Sequence, residues 1–322
     1  MEEYTRERLK YLQSLPLEVK IKLTENRIKE WIDYFGVDGV YVSFSGGKDS
    51  TVLLNIVRNL YQDVKAVFID TGLEYPEIRK FVKTFKNVDW IKPKLTFKEV
   101  IQKYGYPFIS KEVSKNVYYA RKSGETNIHY KKLFGLYKDK EGNKSQYCTE
   151  KYKFLYSAPF IVSDRCCSIM KKLPSKKYER ETGRKRIVGT MASESYLRTS
   201  SWVKTGCNSF NGSTIQSKPL SFWNEEDILK YIKANNISYC SVYGEIIEED
   251  GKLKTTGLNR TGCMFCGYGC HLEKENQGRF EIMKHTHTQQ YKYIMKPMEE
   301  GGLNYKEIID WINEHGNLHI RY

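Results

Sequence analysis

The stretch of sequence that decides the fold is Val40-Tyr41-Val42-Ser43-Phe44-Ser45-Gly46-Gly47-Lys48-Asp49-Ser50. Its first five residues are apolar, β-branched or aromatic at nearly every position, which predicts a short buried strand. A serine-glycine turn follows, and a helix is predicted to open at Asp49 with apolar residues along positions 52–60. The stretch therefore predicts a strand, a tight turn and a helix in direct succession.

The same alternation continues along the chain. A second strand is predicted at residues 64–69, a helix from Pro76, a third strand at residues 88–91 and a further strand at residues 186–189. Strands that alternate with helices at this spacing indicate a parallel sheet with right-handed crossovers. We therefore expect an α/β fold with a parallel, Rossmann-like sheet.

Composition changes along the chain and predicts three regions. Residues 1–37 have helical periodicity, residues 38–205 contain the α/β alternation, and residues 206–322 hold five of the eight cysteines. We expect an N-terminal helical segment, a nucleotide-binding α/β domain and a smaller, cysteine-rich C-terminal α+β region that binds metal.

The amino-acid composition is that of a globular protein with a basic surface. The 322 residues are 40% hydrophobic, with a formal net charge of +14. There is neither an apolar run long enough for a membrane helix nor an apolar stretch behind the charged N-terminus, so we expect a cytoplasmic protein without membrane partners. The charge favours phosphorylated partners, from nucleotides to nucleic acid, although solvated lysines alone would also account for it.

The turn after the first strand has the composition of an anion site. Gly46 and Gly47 let the backbone bring its N–H groups close to a phosphate, and the following helix directs its N-terminal dipole at the same place. Ser45 and Ser50 add hydroxyl groups, and Lys48 adds a positive charge. The alternative is an ordinary turn with a helix cap at Asp49 or Ser50.

Cysteine spacing indicates a metal centre. Cys263 and Cys266 lie three residues apart between Gly262 and Gly267, so both thiolates can face one ion. Thiolates suit either zinc or an iron–sulfur cluster. The expected ligands are Cys167, Cys207, Cys263 and Cys266, and Cys166 and Cys270 compete for places in that set.

Several motifs resemble one known family. The hexapeptide of residues 45–50 resembles the PP-loop of the adenine-nucleotide alpha-hydrolase superfamily. Residues 68–72 and 189–198 resemble the phosphoadenylyl-sulfate reductase branch of it. The resemblance implies that the cofactor-binding residues are Ser45, Gly46, Gly47, Lys48, Asp49, Ser50, Asp70, Thr71, Gly72 and Glu194. It also implies catalytic roles for Lys48, Asp49 and Arg198 at the anionic end of the nucleotide.

The resemblance also bears on cofactors. Some members of the family hold an iron–sulfur cluster with a Cys-Cys pair and a distant Cys-x-x-Cys, which Cys166-Cys167 and Cys263–Cys266 resemble. It therefore implies a [4Fe–4S] cluster, with zinc as the alternative. The implied nucleotide is ATP or adenylylated sulfate, and Mg²⁺ is a further candidate ion.

One departure leaves the reaction open. Sulfonucleotide reductases resemble one another in a C-terminal segment with a nucleophilic cysteine, and residues 271–322 contain no cysteine. Three hypotheses follow: sulfur chemistry on a sulfonucleotide, ATP-dependent adenylation of DNA or tRNA for sulfur insertion, or a non-catalytic nucleotide sensor. The first two call for a protein that donates electrons or sulfur.

Overall fold

The computed structural model describes residues 4–212 and 214–322 of the chain. The helices are α1 (Arg6–Ser14), α2 (Leu17–Phe35), α3 (Lys48–Leu60), α4 (Pro76–Val82), α5 (Phe97–Tyr104), α6 (Lys111–Ser123), α7 (Ile128–Leu133), α8 (Arg165–Cys167), α9 (Leu173–Thr182), α10 (Tyr196–Thr205), α11 (Glu225–Ala234), α12 (Arg279–Thr286), α13 (Thr288–Met295) and α14 (Tyr305–Gly316). The strands are β1 (Val40–Ser43), β2 (Ala66–Ile69), β3 (Val88–Ile91), β4 (Phe108–Ile109), β5 (Lys185–Val188), β6 (Asn208–Ser209), β7 (Gln216–Ser217), β8 (Ile246–Glu249), β9 (Lys252–Thr255) and β10 (Gly267–Tyr268).

The chain folds into two compact units. The first comprises the described parts of Met1–Asp70, Glu74–Lys92 and Pro174–Gly262, and the second comprises Thr71–Leu73, Pro93–Leu173 and Cys263–Tyr322. Neither unit is a continuous segment, because the chain passes between them several times. The boundaries expected from composition, after residues 37 and 205, both fall inside the first unit.

A six-stranded sheet forms the centre of the first unit, in the order β3-β2-β1-β5-β7-β6. The first five of these strands are parallel, and β6 runs antiparallel to β7 at one edge. The fold is therefore α/β with a mainly parallel sheet, as the strand and helix alternation predicts. The strands expected at residues 40–44, 64–69, 88–91 and 186–189 are present as β1, β2, β3 and β5.

The middle of the sheet is the core of this unit. Val40 and Val42 of β1 are completely buried, as are Val52 and Leu53 of α3. A strand buried on both faces needs apolar residues at successive positions, which explains the consecutive Val40, Tyr41 and Val42. The core thereby fixes the position of the turn that links β1 to α3.

The N-terminal helices belong to the same unit. The helix expected over residues 1–36 is divided at Pro16, which has no N–H to continue α1, and residues 1–3 lie outside the described residues. In α2, the buried Lys20 ammonium lies 2.8 Å from Asp227, and Trp223 Nε1 donates to Thr24 Oγ1 over 2.8 Å. These buried contacts join α2 to residues 223–227 within the first unit.

The second unit contains α5 to α8, α12 to α14 and a small parallel sheet of β4 and β10. A Cβ on Gly267 would lie 2.5 Å from the Phe108 ring, so glycine is required for the two strands to pair. Tyr305 is fully buried, and its hydroxyl donates to the Phe265 carbonyl. Neither short strand was expected, since two-residue strands leave no periodic pattern in a sequence.

Candidate functional site

A cavity of about 640 Å³ lies at the carboxyl ends of β1 and β5 in the first unit. The chain leaves β1 toward β2 and β3 on one side, and β5 pairs with β1 on the other. Open α/β sheets bind ligands at such a switch point. The lining residues include the PP-loop and the segments after β5 and β9: Ser43, Ser45, Gly47, Lys48, Asp49, Ser50, Val188, Gly189, Thr190, Met191, Ser193, Glu194, Arg198, Asn224, Glu225, Tyr243, Arg260, Thr261 and Gly262.

The two glycines of the loop serve different purposes. Gly46 has a φ of +74°, and a Cβ there would lie 2.7 Å from Val82 Cγ2. Gly47 has extended backbone, but a Cβ there would lie 3.1 Å from both Tyr243 Oη and Thr261 Oγ1. Gly46 is thus required by the turn itself, and Gly47 by the close approach of two hydroxyl groups.

The two serines hold the loop in shape. The Ser45 N–H donates to Ser50 Oγ over 3.2 Å, and the two hydroxyl oxygens lie 3.0 Å apart. The Ser50 hydroxyl also donates to the Gly47 carbonyl over 2.9 Å. These bonds close the turn on itself and fix the direction in which its amides point.

Lys48 brings a buried positive charge to the wall of the cavity. Its residue is only 4% exposed, and its ammonium donates to the Asn259 carbonyl over 2.9 Å. The same ammonium lies 3.1 Å from Glu225 Oε1. The backbone N–H of Lys48, at the N-terminus of α3, donates to Tyr243 Oη over 3.2 Å. The hydrogen-bond partner of this amide is therefore a neutral hydroxyl.

Asp49 has an unsatisfied carboxylate oxygen. Its Oδ1 is buried and accepts no hydrogen bond from the residues described, and it lies 3.9 Å from the Lys48 ammonium. Burial raises the pKa of Asp49, and the positive charge of Lys48 opposes that change. A buried oxygen without a donor is costly unless a ligand or ion satisfies it.

Two arginines supply further positive charge. Arg198 forms an ion pair with Glu194, whose carboxylate also accepts the Met191 N–H over 2.8 Å. Burial lowers the pKa of Arg198, and the positive charge of Arg260 acts in the same direction. Arg260 is exposed and forms no hydrogen bond or ion pair with a described residue, so its guanidinium is available to an anion.

Some residues of this cavity were not expected from the sequence. The segment that contains Tyr243, Arg260 and Thr261 has no helix or strand periodicity from which its position could be predicted. The one indication of an anion site in this segment is the tripeptide Arg260-Thr261-Gly262, which combines a cation, a hydroxyl group and a glycine. Conversely, Asp70 is not among the lining residues. It is buried at the end of β2 and lies 2.9 Å from the Arg79 guanidinium.

Thr71 and Gly72 follow Asp70 in the chain and belong to the second unit. Thr71 Oγ1 accepts the Leu73 N–H over 3.2 Å, and the Leu73 carbonyl accepts the Met264 N–H over 2.8 Å. This short segment therefore contacts the Cys263–Cys266 turn. Its expected place at the nucleotide stays a prediction.

Four thiols gather in the second unit. Cys166 Sγ donates to Cys167 Sγ over 4.0 Å, and this bond together with burial raises the pKa of Cys166. The thiols of Cys263 and Cys266 are close enough to Cys166 for their charge to act on it as well. Three of the four expected ligands, Cys167, Cys263 and Cys266, therefore interact electrostatically with Cys166, and their role as ligands stays a prediction.

Positive charge surrounds these thiols. The hydrogen bond from Cys166 lowers the pKa of the Cys167 thiol to about 6, and the charges of Lys111 and Lys171 act in the same direction. Arg279 donates to the Cys266 carbonyl. Basic groups of this kind offset the negative charge of a thiolate-rich centre.

The thiols are not already arranged around an ion. Among residues 4–212 and 214–322, no three His, Cys, Asp or Glu side chains have the geometry of a metal site. The donor set nevertheless fits a soft metal by its chemistry, since four thiols from two segments of the second unit act electrostatically on one another.

The remaining cysteines lie elsewhere. Cys207 belongs to the first unit, where it is 4% exposed and burial raises the pKa of its thiol. Cys240 is also in the first unit, and Cys148 and Cys270 are in the second. The Cys148 thiol donates to the Tyr137 carbonyl over 3.3 Å, and the Cys270 thiol to the Cys266 carbonyl over 3.5 Å.

A mainly parallel sheet with a glycine-rich anion loop after its central strand defines the class of PP-loop nucleotide-binding α/β domains. Residues 39–137 and 125–267 match the phosphoadenosine phosphosulfate reductase domain. The chain belongs to the phosphoadenosine phosphosulfate reductase family, which is a family of enzymes.

Two uncharacterized proteins of Methanocaldococcus jannaschii are similar in sequence. One is 25% identical over 242 residues, which cover 73% of this chain and 43% of the relative. The other is 26% identical over 228 residues, which cover 70% of this chain and 36% of the relative. The chain thus spans less than half the length of these curated relatives.

Three solved structures show distant similarity to the chain. Phosphoadenylyl-sulfate reductase of Candida auris, in a phosphate complex, has a TM-score of 0.37 at 16% identity, over 77% of this chain and 97% of that one. FMN adenylyltransferase of Candida glabrata has a TM-score of 0.36 at 12% identity, over 73% and 63% of the chains. U34-tRNA thiolase NcsA of Methanococcus maripaludis, with its [4Fe-4S] cluster, has a TM-score of 0.35 at 14% identity, over 69% and 66%.

The length and hydropathy of the helices were compared with those of membrane-spanning helices. Over residues 4–212 and 214–322, every helix is too short or too polar to cross a membrane.

Proposed function

We propose that this protein is an enzyme that binds ATP or adenylylated sulfate in the cavity of the first unit and performs sulfur chemistry with a [4Fe–4S] cluster held by the second. The observation that supports it most is the loop between β1 and α3, where buried Lys48 stands at the N-terminus of a helix. A helix N-terminus with an added cation is a favourable site for phosphate or sulfate. A cavity of about 640 Å³ is also of the size that holds small ligands.

The cationic side chains have separate roles in this proposal. Lys48 and Arg198 contact the phosphate or sulfate that reacts, since both line the cavity. Their carboxylate partners hold the two cations in place until the anion binds. Arg260 provides an additional contact to the anionic end, because its guanidinium has no hydrogen-bonded partner among the residues described. Positive groups placed before the reaction stabilise the charge that develops on a leaving phosphate or sulfate.

Asp49 fits an ion that accompanies the nucleotide. Its buried Oδ1 accepts no hydrogen bond in the described chain, and a carboxylate oxygen is a preferred ligand of Mg²⁺. We therefore assign Asp49 to Mg²⁺ bound with ATP. The hydroxyls of Ser45 and Ser50 hold the loop in place for this arrangement.

The cluster is assigned to Cys166, Cys167, Cys263 and Cys266, with zinc as the alternative metal. These thiols belong to one unit and interact electrostatically, whereas Cys207 belongs to the other unit. A bound cluster would supply a polarisable, thiolate-ligated centre whose charge and potential depend on nearby basic groups. Lys111 and Lys171 would provide those groups.

A second candidate function is ATP-dependent adenylation of a nucleic acid, with release of pyrophosphate, before sulfur is inserted. It is favoured by residues 111–153 of the second unit, where lysine and arginine outnumber acidic residues eleven to five. Either reaction needs electrons or sulfur from outside the site, and we propose a separate donor protein. A nucleotide sensor without catalysis is the third candidate.

One set of assays separates these candidates. The sulfonucleotide reaction predicts sulfite from adenylylated sulfate when a dithiol supplies the electron pair. The adenylation reaction predicts pyrophosphate from ATP only when DNA or tRNA is present. If neither product forms and the nucleotide still binds tightly, the nucleotide sensor is the remaining candidate. Anaerobic purification with an absorption spectrum and quantitation of iron, sulfide and zinc decides the identity of the metal.

A further inference from the structure

Much of the positive charge of the chain is concentrated in one segment of the second unit. Residues 111–153 contain eleven lysines and arginines and five acidic residues, a net charge of +6 out of +14 for the whole chain. Lys132 and Lys144 form ion pairs with Glu112 and Glu150. The other nine basic residues form no ion pair with any residue in the described part of the chain.

Helix α6 places some of this charge on one line. Lys111, Lys115, Tyr118 and Lys122 follow one another at intervals of four, three and four residues, which brings them to one face of the helix. We call these four residues the α6 stripe. At 1.5 Å per residue the stripe is about 16 Å long, and its three lysines are exposed.

The apolar face of α6 is fully used in packing. Val113, Val117 and Ala120 are at most 2% exposed, so this helix has no apolar surface left to insert into a lipid bilayer. The exposed face instead combines cations with aromatic rings. Such a combination suits a nucleic acid strand, whose phosphates pair with lysine and whose bases stack on aromatic side chains.

Neighbouring residues add to the aromatic content of this surface. The His129 ring stacks on Tyr119 with centroids 5.1 Å apart, and Tyr118 contacts Tyr119 edge to face. Tyr147 is 50% exposed, and the Lys132 ammonium lies 5.3 Å from its ring centroid. Tyrosines that are scattered in the sequence therefore meet lysines on the folded surface.

The first turn of the stripe lies beside the segment that holds the thiols. Ser114, one turn after Lys111, donates its hydroxyl to the Phe108 carbonyl of β4 over 2.7 Å. Phe108 pairs with Gly267 of β10, the residue that directly follows Cys266. A strand bound along α6 would therefore have one end beside the thiol cluster.

We propose that the α6 stripe is a binding surface for single-stranded nucleic acid and that it directs the strand to the thiols of the second unit. The lysines pair with phosphates, and Tyr118 stacks on a base. This inference rests on the second candidate function, since it supplies the partner which that reaction modifies. It assigns the substrate class to single-stranded DNA or an unpaired RNA loop.

The test is fluorescence anisotropy with labelled single-stranded DNA and RNA oligonucleotides over a range of salt concentrations. The stripe variant is Lys115→Glu with Lys122→Glu. The matched control is Lys284→Glu with Lys292→Glu, which makes the same charge change at exposed helical positions of the same unit. Loss of two phosphate contacts is expected to lower the salt slope of binding by about 1.4, since a single strand contributes about 0.7 per contact.

The expected result is at least a tenfold loss of affinity in the stripe variant and a change of less than about twofold in the control. Tyr118→Ala is expected to weaken binding about fivefold or more without changing the salt slope. Equal losses in the stripe and control variants would overturn the inference, and so would tighter binding to anionic lipid vesicles than to either oligonucleotide.

ATP calorimetry on the same proteins separates this inference from the proposed function. If the wild-type protein binds ATP but no oligonucleotide, the α6 stripe is not a nucleic acid surface, and the proposed nucleotide site is unaffected. Wild-type protein that binds oligonucleotide through the stripe but gives no heat with ATP contradicts the nucleotide site instead.

Discussion

The Lys48 ammonium and the Glu225 carboxylate lie 3.1 Å apart at the wall of the cavity beside β1 and β5. Lys48 is buried, whereas the Glu225 side chain is 54% exposed. The Glu225 carboxylate therefore neutralises the Lys48 cation that would otherwise be available to an anion. The ion pair adds little to the stability of the fold, because an ion pair with an exposed partner contributes at most about 1 kcal/mol.

Glu225→Gln is expected to bind ATP about two- to fivefold more tightly, because the ammonium no longer has to exchange a carboxylate for the phosphate. Calorimetric titration measures the change. Glu226→Gln is the matched control, since Glu226 is the adjacent residue and pairs with Lys230 on the exposed face of α11. Weaker binding in Glu225→Gln, or an equal gain in the control, would contradict this role.

Arg260→Ala is expected to weaken binding of ATP and adenylylated sulfate about 10- to 100-fold, as loss of a charge-assisted hydrogen bond predicts. Arg260 is exposed and lines the cavity, so the fold should be unaffected. Arg180→Ala removes an exposed arginine of α9 in the same unit and should bind as the wild type does. Equal affinities for all three proteins would remove Arg260 from the site.

Gly46→Ala tests the shape of the loop. Gly46 and Gly36 both have positive φ, at +74° and +76°, but only a Cβ at Gly46 meets other atoms. Denaturant titration is expected to show a loss of about 1–3 kcal/mol for Gly36→Ala from backbone strain alone. Gly46→Ala should lose about 2–6 kcal/mol, because the contact with Val82 adds overpacking.

Nucleotide binding gives the second measurement for this pair. Gly36→Ala should retain ATP binding, while folded Gly46→Ala should not, because its loop amides are displaced. A Gly46→Ala protein with wild-type stability and affinity would show that the loop tolerates a side chain, contrary to the geometry described above.

Cysteine variants test the assignment of the metal. Cys166→Ser and Cys263→Ser, purified anaerobically, are expected to lose most of their bound iron, since each removes one of four clustered thiols. Cys207→Ser and Cys148→Ser should retain it, because neither thiol belongs to that cluster. Iron lost from Cys207→Ser as completely as from Cys263→Ser would restore Cys207 to the ligand set.

The α/β fold was predictable because its two central strands, β1 and β2, are buried at most positions. The runs that begin at Val40 and Val64 are short, apolar and followed by turn residues, which distinguishes them from helices. The order of strands is less visible in sequence. The two-residue strands β6 and β7 were missed because pairing, not composition, defines them.

The division of the chain could not be derived from its linear order. Lys20 and Asp227 form a buried ion pair across 207 positions, and no local pattern marks such a contact. Similarly, Met264 bonds to the Leu73 carbonyl across much of the chain. Composition changes with position along the chain, whereas the two units are assembled from separate segments.

The candidate site was predictable where function depends on local geometry. The loop of residues 45–50 contains its own glycines, hydroxyls and cation, so its sequence indicates its chemistry. Tyr243, Arg260 and Thr261 reach the cavity only through tertiary packing and were missed. The pair Cys166-Cys167 was recognised, but only the fold shows that Cys207 belongs to the other unit.

The most direct test of the central claim is a calorimetric titration of the folded wild-type protein with ATP and with adenylylated sulfate. We expect one binding site per chain, with each ligand competing against the other, and with loss of heat in Arg260→Ala but not in Arg180→Ala. A flat titration with both ligands, from protein whose circular dichroism shows the expected fold, would contradict the assignment of the cavity as a nucleotide site.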